Sequence, residues 1–302
     1  MPTFCFCCDS SDSCLQLKST LALVVLTFWL AEVLAPPRTR NRWPAACSAL
    51  RWALWHSWRS YTAYEIIAES QLDPSGVYVF GTHPHGVFPL AQWLTIGVAD
   101  HSTRQSNPID AAIAAAFPMP CRGAVASIML RLPVLRHILE WCGVVPASQA
   151  IVRRLLAEER HSVVLVPGGI AELYQCSPSE EVLVLSQRKG FIKLAADPAN
   201  RVTAVVPIYC FGNTSVLRLH PPPPKVAHLA RRARISVQAF WGRWGTPIPF
   251  PSKLLVVVGT PLTLAPGETV EELHARYVVE LKALFERHKH RVGWDHKKLR
   301  VI

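Results

Sequence analysis

Two histidines lie directly after a run of β-favouring residues. His83, Pro84, His85 and Gly86 follow residues 77–80, so they are expected at the carboxyl end of a strand, where α/β proteins place reactive groups. A neutral imidazole can accept a proton from a weak nucleophile such as an alcohol and return it later. Pro84 stiffens the link between the rings, and Gly86 allows a close approach of backbone or substrate. The motif is therefore a candidate general base.

The same motif has two other interpretations. The histidines could simply cap the strand or the helix that follows. A His-X-His pair can also chelate a metal ion, which would need a third ligand. A metal-dependent hydrolase that uses His83 and His85 therefore stays an alternative, although no metal site is predicted.

A glycine pair ends a second predicted strand, residues 162–166. Amide groups of Gly168 and Gly169 at the start of a helix could stabilise an oxyanion, because they lie at the positive end of the helix dipole and carry no side-chain obstruction. Glu172 would lie in the first turn and could hold a histidine ring in its productive tautomer. A tight turn and a dipole-stabilising glutamate are the plain alternatives.

A basic block follows at Arg188, Lys189, Gly190 and Phe191. Its two cations would suit the phosphates of a nucleotide-bearing substrate, and Gly190 would permit close backbone approach. The alternative is a solvated surface pair.

The elements that would position these residues are short apolar runs alternating with helical patterns. The predicted strands are residues 77–80, 162–166, 202–209 and 254–258. Residues 149–160 predict a helix capped by Ser148, and Thr269 with Glu272 predicts a capping box at the start of a long last helix. Because the strand runs are continuously apolar, we expect burial on both faces, hence an α/β fold with a central, mostly parallel sheet flanked by helices.

The overall composition indicates a globular body that touches a membrane. Half of the 302 residues are apolar, 18% are charged and the mean hydropathy is +0.20. The formal charge of +11 attracts anionic lipid, polyphosphate or nucleic acid. Nucleic acid is not a predicted partner, because no RNP, zinc-finger or heptad pattern accompanies the charge. A basic membrane-surface or nucleic-acid-binding module without catalysis is a third functional class.

The first part of the chain predicts membrane engagement. The uncharged run of residues 19–31 is short for a bilayer crossing, which needs about 20 apolar residues, and favours a retained anchor or a re-entrant helix. Six aromatic residues that follow predict an interfacial belt, with a core-facing helix as the alternative. They are Trp43, Trp52, Trp55, Trp58, Tyr61 and Tyr64. We therefore divide the chain into a membrane-anchoring and interfacial lead-in, residues 1–70, and a catalytic domain, residues 71–302.

Four collinear motifs carry a family resemblance. The runs YVFGTHPHG, VPGGIAE, RKGF and VVPIYCFG closely resemble the type-2 diacylglycerol acyltransferase family, which includes monoacylglycerol and wax-alcohol acyltransferases. The match covers residues 70–302, and the run LKALFERHKHRVGW is similar to the family's ending. The resemblance implies a glycerolipid-acyltransferase-like fold in an integral membrane enzyme of the endoplasmic reticulum and lipid droplets.

The resemblance also implies roles for individual residues. His83 to Gly86 would be the catalytic tetrapeptide, and plant members that read EPHS there favour His85 over His83 as the base. Glu172 matches the family's acid after the glycine pair, and Arg188 to Phe191 matches its basic block. Members commonly have two longer hydrophobic segments before the motif, whereas this chain has one short run.

The expected activity is therefore transfer of an acyl group from acyl-CoA to diacylglycerol. Acyl-CoA would be a substrate, so no cofactor is expected, and membrane lipids are expected partners. Monoacylglycerol or a long-chain alcohol is the alternative acceptor within the family. The sequence leaves open a homo-oligomer and lipidation of the four cysteines in residues 5–14.

Overall fold

The computed structural model describes residues 48–96, 107–118, 120–132, 135–174, 179–220 and 239–302, together with positions 20, 23, 24 and 27. The α-helices of this part are α1 (Ser48–Tyr61), α2 (Leu90–Ile96), α3 (Pro108–Ala116), α4 (Leu135–Trp141), α5 (Gln149–Ala157), α6 (Gly190–Ala196) and α7 (Val270–His288). Short 3₁₀ helices cover Met129–Arg131, Gly169–Tyr174, Pro198–Asn200, Arg243–Gly245 and Lys289–Val292.

The strands are β1 (Glu65–Ala68), β2 (Tyr78–His83), β3 (Cys121–Val125), β4 (Val145–Pro146), β5 (Ser162–Leu165), β6 (Glu180–Leu183), β7 (Ala204–Phe211), β8 (Arg218–His220), β9 (Ala239–Trp241), β10 (Leu255–Val258) and β11 (Lys298–Val301). Seven of them form one sheet in the order β1-β10-β7-β2-β5-β3-β4. Neighbouring strands of this sheet run parallel except β7 and β10, which are antiparallel. The predicted α/β fold with a mostly parallel central sheet is therefore confirmed.

Both faces of the sheet are buried. On β2, Tyr78 and Phe80 point into a core that includes residues of α1, α2 and α3, whereas Val79 points into a core that includes residues of α5, α6 and α7. Successive strand side chains point to opposite faces, so a strand buried on both sides must be apolar throughout. This is why continuous apolar runs predicted β2, β5, β7 and β10 correctly.

The predicted helix caps are also present. The Ser148 hydroxyl accepts a hydrogen bond from the Ile151 amide, and α5 ends at Ala157, three residues before its predicted end. Thr269 and Glu272 bond reciprocally at the start of α7, with Thr269 N donating to Glu272 Oε2 at 2.8 Å and Glu272 N to Thr269 Oγ1 at 3.2 Å. These caps satisfy amides that the first turn of a helix leaves unpaired.

The predicted aromatic belt is wrong for two of its members. Trp55 and Tyr64 are buried in the core on the α1 side of the sheet, and the Trp55 indole donates to the Trp93 carbonyl. Trp58 and Tyr61 are half-buried. β1, which lies within the predicted lead-in, pairs with β10 in the central sheet. Trp43 and the side chain of Trp52 lie outside the described residues.

The membrane anchor predicted at residues 19–31 lies outside the described residues, except for positions 20, 23, 24 and 27, which are helical. The four cysteines of residues 5–14 also lie outside them. None of the helices in the described ranges has the length and apolar character that a bilayer crossing requires.

Candidate active site

The HPHG loop, residues 83–86, leaves the end of β2 at the centre of the sheet. Asn213, just beyond the end of the neighbouring β7, is buried and holds this loop. Its side-chain amide donates to the carbonyl oxygens of Pro84 (3.2 Å) and His85 (2.8 Å), and its Oδ1 accepts from the Ala91 amide (3.1 Å). One side chain thus fixes the loop and the start of α2.

Gly86 makes this close approach possible. Its φ is +62°, in the left-handed region that favours glycine. A Cβ atom at this position would lie 2.7 Å from the Asn213 carbonyl oxygen. The loop therefore requires glycine at position 86. The sequence predicts a close approach of backbone or substrate at Gly86, and in the structure the approaching group is the backbone of Asn213.

The His85 ring has a defined proton arrangement. Its Nδ1 lies 2.7 Å from the Gly86 carbonyl oxygen, which can only accept, so Nδ1 carries the proton and donates it. In a neutral ring Nε2 is then a bare acceptor, and it bonds to nothing within the described residues. The ring is half-buried. His85 therefore presents a fixed ring with a free lone pair, which is what a general base needs.

His83 is placed differently. Its side chain is 0% exposed, and its Nε2 lies 3.2 Å from the Tyr277 hydroxyl on α7. That hydroxyl donates its single proton to the Gly81 carbonyl at 2.9 Å, so it must accept from His83, and Nε2 carries a proton. His83 is fully buried and its Nε2 already donates a proton to Tyr277, so it has no accessible lone pair at that atom. This suits a positioning residue more than a general base.

Tyr277 stays protonated over the working pH range. Burial, with the nearby Glu172 carboxylate as a further cause, raises the pKa of Tyr277 well above its ordinary value. The phenol is therefore a permanent donor to Gly81. Phe191 packs edge-on against the Tyr277 ring, with 4.9 Å between centroids, and fixes its position.

Glu172 connects the glycine pair to the HPHG loop. Its Oε2 accepts a hydrogen bond from the His85 backbone amide at 2.9 Å, and its Oε1 lies 3.7 Å from His83 Nδ1. The prediction that Glu172 orients the catalytic imidazole is therefore wrong for His85, because the Gly86 carbonyl has that role. Glu172 is buried and holds the backbone of the base in place.

The glycine pair has a steric reason of its own. A Cβ atom on Gly168 would lie 1.7 Å from Glu172 Oε1, so only glycine lets this carboxylate reach the loop. Gly169 begins a 3₁₀ helix, where the sequence predicts an ordinary helix start. The structure thus brings the glycine pair and the two histidines together through Glu172.

The basic block separates into surface and core positions. Arg188 is exposed, and its side chain has no ion-pair partner among the described residues. Lys189 pairs with Glu271 of α7 (3.3 Å), and Gly190 begins α6 with open space around its α-carbon. Phe191 is buried against Tyr277 and His274, so it supports the site from inside and does not face solvent.

Sequence reasoning missed Asn213, Tyr277 and Gln92. Gln92 is buried and donates to the Pro84 carbonyl at 3.1 Å, beside the bond from Asn213. Asn213 directly follows the VVPIYCFG motif, so a polar residue just after a buried strand was the available signal. Tyr277 belongs to the apolar stripe of α7, and nothing in the stripe distinguishes it from a core residue.

The metal interpretation of the histidines has no ligand set in the part of the chain that the structure describes. No three His, Cys, Asp or Glu side chains there form a group that could hold a metal ion. The His83 ring bonds Tyr277 and the His85 ring bonds Gly86, so each ring has its own protein partner.

Comparison with known proteins adds what geometry alone cannot give. The family model described as Diacylglycerol acyltransferase matches residues 14–302. This chain belongs to the diacylglycerol acyltransferase family. The family resemblance inferred from the four motifs is confirmed, and the chain is an O-acyltransferase.

Individual relatives of this acyltransferase carry different names. The chain is 29% identical to Diacylglycerol O-acyltransferase 2-like protein 6 of Bos taurus, over 90% of this chain and 86% of that protein. It is 31% identical to 2-acylglycerol O-acyltransferase 1 of Bos taurus, over 80% of this chain and 74% of that protein. The solved 1-acyl-sn-glycerophosphate acyltransferase of Thermotoga maritima aligns with a TM-score of 0.45 and 13% identity, over 88% of this chain and 90% of that one.

Proposed function

We propose that this acyltransferase joins the acyl group of acyl-CoA to the free hydroxyl of diacylglycerol and forms triacylglycerol. The observation that supports this most directly is the His85 ring, whose Nδ1 proton is held by the Gly86 carbonyl and whose Nε2 is free. An alcohol is a weak nucleophile, and a positioned base is what it needs to attack a thioester.

The proposed reaction has two proton transfers and no covalent enzyme intermediate. His85 Nε2 removes the proton of the acceptor hydroxyl as its oxygen bonds to the thioester carbonyl carbon. The carbonyl oxygen becomes an oxyanion, for which the Gly168 and Gly169 amides are the proposed donors. The tetrahedral intermediate then breaks its carbon–sulfur bond, and the CoA thiolate takes the proton from His85. The products are the ester and free CoA.

The other predicted residues have supporting roles in this proposal. Glu172 and His83 position the HPHG loop, and Pro84 and Gly86 give the loop its shape. Arg188 and Lys189 would bind the CoA phosphates from the aqueous side, where Arg188 is exposed and has no ion-pair partner within the described ranges. Gly190 leaves open space next to this block, and Phe191 supports Tyr277.

The substrates favour work at a membrane surface. Moving an acyl chain of about 16 carbons out of a bilayer would cost on the order of 12 kcal/mol, at roughly 0.8 kcal/mol per CH₂. An enzyme in the interface avoids this cost by drawing the chains in sideways. This free-energy cost favours a membrane surface; the endoplasmic reticulum membrane, with lipid droplets as a second site, is the location that the family resemblance implies and that we propose.

Product analysis tests the acceptor. Cells without neutral lipid would express the chain or its His85→Ala variant and receive labelled fatty acid with diacylglycerol, monoacylglycerol or a long-chain alcohol. We expect labelled triacylglycerol from diacylglycerol, and none from the variant. Labelled diacylglycerol or wax ester as the main product would replace the proposed acceptor by the corresponding alternative. Monoacylglycerol is the stronger alternative, because two relatives, of Homo sapiens and Bos taurus, are named 2-acylglycerol O-acyltransferases.

A further inference from the structure

The segment around β9 exposes several apolar side chains that are close together in sequence. Phe240 is 45% exposed, Trp244 75% and Ile248 42%. We call residues 240–250 the aromatic loop. Isolated apolar residues on a surface need no explanation, but a cluster that includes a mostly exposed tryptophan indicates an interaction surface.

The backbone holds the Trp244 ring outward. Gly242 N donates to the Thr246 carbonyl at 2.6 Å and Arg243 N to the Ile248 carbonyl at 2.7 Å, so residues 242–248 form a closed turn. Trp244 lies at its tip with φ +57°, in the left-handed region that bulky side chains seldom adopt. Trp244 thus combines an unfavourable backbone conformation with an exposed indole. Two costs at one residue indicate that the ring contacts a partner.

The charge around the aromatic loop has one sign. No Asp or Glu occurs between Asp197 and Glu268, whereas that stretch contains eight Lys or Arg residues. Arg243 lies over the Trp244 ring, with 4.3 Å from its guanidinium carbon to the ring centroid, and the exposed Arg218 lies 5.3 Å from the Phe250 centroid. Two cations, Arg243 and Arg218, therefore lie against aromatic rings of this segment, and no acidic residue is near them in sequence.

The aromatic loop leaves the sheet near the candidate active site. Asn213, which holds the HPHG loop, is three residues before Val216, and the Val216 carbonyl accepts from the Phe250 amide at 2.7 Å. The Tyr61 hydroxyl at the end of α1 donates to the Pro249 carbonyl at 2.8 Å. A partner that covers the aromatic loop would therefore lie on the side of the sheet edge where His85 is found.

We propose that the aromatic loop docks on the surface of an anionic phospholipid bilayer. Phe240, Trp244 and Ile248 would enter the interface between head groups and acyl chains, and Arg243 and Arg218 would contact the lipid phosphates. Indole rings are favoured at this depth, and each basic side chain near an anionic surface strengthens binding. An acidic protein could match the charge, but a lipid surface also suits an exposed indole held at the tip of a turn, because tryptophan is favoured at the membrane interface. The proposal does not depend on acyl transfer.

Hydrogen exchange of the full-length protein tests the surface locally, because other parts of the chain can also bind lipid. The protein would be incubated with vesicles of phosphatidylcholine alone or with phosphatidylserine, and exchange would be followed peptide by peptide. We expect slower exchange for residues 240–250 with the anionic vesicles, and no change for the outer face of α7, where Val279 is 67% exposed. Bound protein with unchanged exchange in the aromatic loop would overturn the proposal, and so would protection that rises with protein concentration without vesicles, since it indicates a second copy.

Variants provide the second measurement. Trp244→Gly removes the ring and also suits the left-handed backbone, so it should fold; we expect about tenfold weaker partition into anionic vesicles. Arg243→Gln should weaken it about fivefold at low salt and less at high salt. Val279→Ser and Lys282→Gln, on the outer face of α7, are the matched controls. They should change neither the partition into anionic vesicles nor its dependence on salt. Equal partition of Trp244→Gly and wild type contradicts the proposal. Activity on substrate in detergent micelles should stay normal in Trp244→Gly, which separates this result from a failure of the proposed function.

Discussion

Glu172 binds the backbone of His85 and not its ring: the carboxylate Oε2 accepts the His85 amide proton at 2.9 Å, while His85 Nδ1 bonds the Gly86 carbonyl at 2.7 Å. Glu172 therefore fixes the backbone position of His85, and the Gly86 carbonyl fixes the orientation of its ring. This arrangement differs from a triad in which a carboxylate bonds the imidazole directly. The proton transfer by His85 and the positioning of its loop are therefore carried out by different residues. Substitution of His85 should lower kcat alone, whereas substitution of a positioning residue should lower both kcat and stability.

His85→Ala should lower kcat by at least about a hundredfold, because general-base assistance contributes about 10²–10⁴ to such rates. The ring is half-buried and its bond to Gly86 is local, so the thermal unfolding midpoint should stay close to that of the wild type. Initial rates with saturating acyl-CoA and a thermal melt give both values. Activity near the wild-type level would reject His85 as the base.

Tyr277→Phe should lower both stability and kcat. The substitution leaves the His83 Nε2 proton and the Gly81 carbonyl without this partner in a buried site, which costs about 1–3 kcal/mol. It also releases His83 beside Glu172, and small displacements at a reacting centre cost up to about 10² in rate. We expect a kcat roughly tenfold lower with an unchanged KM for acyl-CoA.

Tyr78→Phe is the matched control for this variant. The Tyr78 ring is also buried, but its hydroxyl donates to the Asp73 carbonyl at 3.2 Å, at the opposite end of β2. It should leave kcat unchanged. A Tyr277→Phe protein that loses stability but keeps the wild-type kcat would show that the hydrogen bonds of the Tyr277 hydroxyl serve stability alone.

The HPHG loop and Glu172 could be predicted from sequence because each follows an apolar run that had to be a strand. The other seven strands of the described residues were not predicted. They are short or contain polar residues: β3, for example, contains Arg122 and Gly123, and β4 has two residues. The antiparallel direction of β10 could not be predicted, because a buried run looks the same in either direction.

The residues that hold the HPHG loop could not be predicted, because they lie far from it along the chain and because their residue types have ordinary structural roles. Asn213 lies 128 residues from the His85 carbonyl it binds, and Tyr277 lies 194 residues from His83. A tyrosine in a helical apolar stripe contributes packing area whether or not its hydroxyl has a task, so its pattern is that of a core residue. Trp55 shows the converse, since an aromatic helix before a catalytic domain suggests an interface while this indole packs in the core.

Asn213→Ala should disable the HPHG loop. Its loss removes donors to the Pro84 and His85 carbonyls and the acceptor for Ala91, so we expect unfolding to become easier by about 1–3 kcal/mol and kcat to fall by more than tenfold. Asn200→Ala is the matched control, because Asn200 is equally buried and bonds the Leu194 carbonyl at 2.7 Å, away from the loop. It should lose stability and keep kcat; an equal loss of kcat in both variants would mean that general destabilisation explains the effect.

Gly86→Ala separates backbone strain from loop geometry. Alanine would have to keep φ +62° and place its Cβ 2.7 Å from the Asn213 carbonyl oxygen, so the loop must move. Gly267→Ala, at φ +79° with open space around it, carries the strain alone. We expect both to lose about 1 kcal/mol or more of stability, and only Gly86→Ala to lose kcat, about tenfold or more. Normal turnover in Gly86→Ala would contradict the fit between Gly86 and Asn213.

Arg188→Ala should raise the KM for acyl-CoA with little change in kcat, since a phosphate contact far from the thioester strengthens ground state and transition state alike. The increase should be about fivefold to twentyfold for one exposed charge-assisted contact, and it should shrink at high salt. Lys282→Ala removes a cation that is also exposed, on the outer face of α7, and should leave KM unchanged. Steady-state kinetics with acyl-CoA and with a short acyl thioester that lacks the nucleotide would measure the effect, because only the nucleotide-bearing substrate should respond. A lower kcat at constant KM would instead place Arg188 next to the reacting atoms and remove the basis for the phosphate contact.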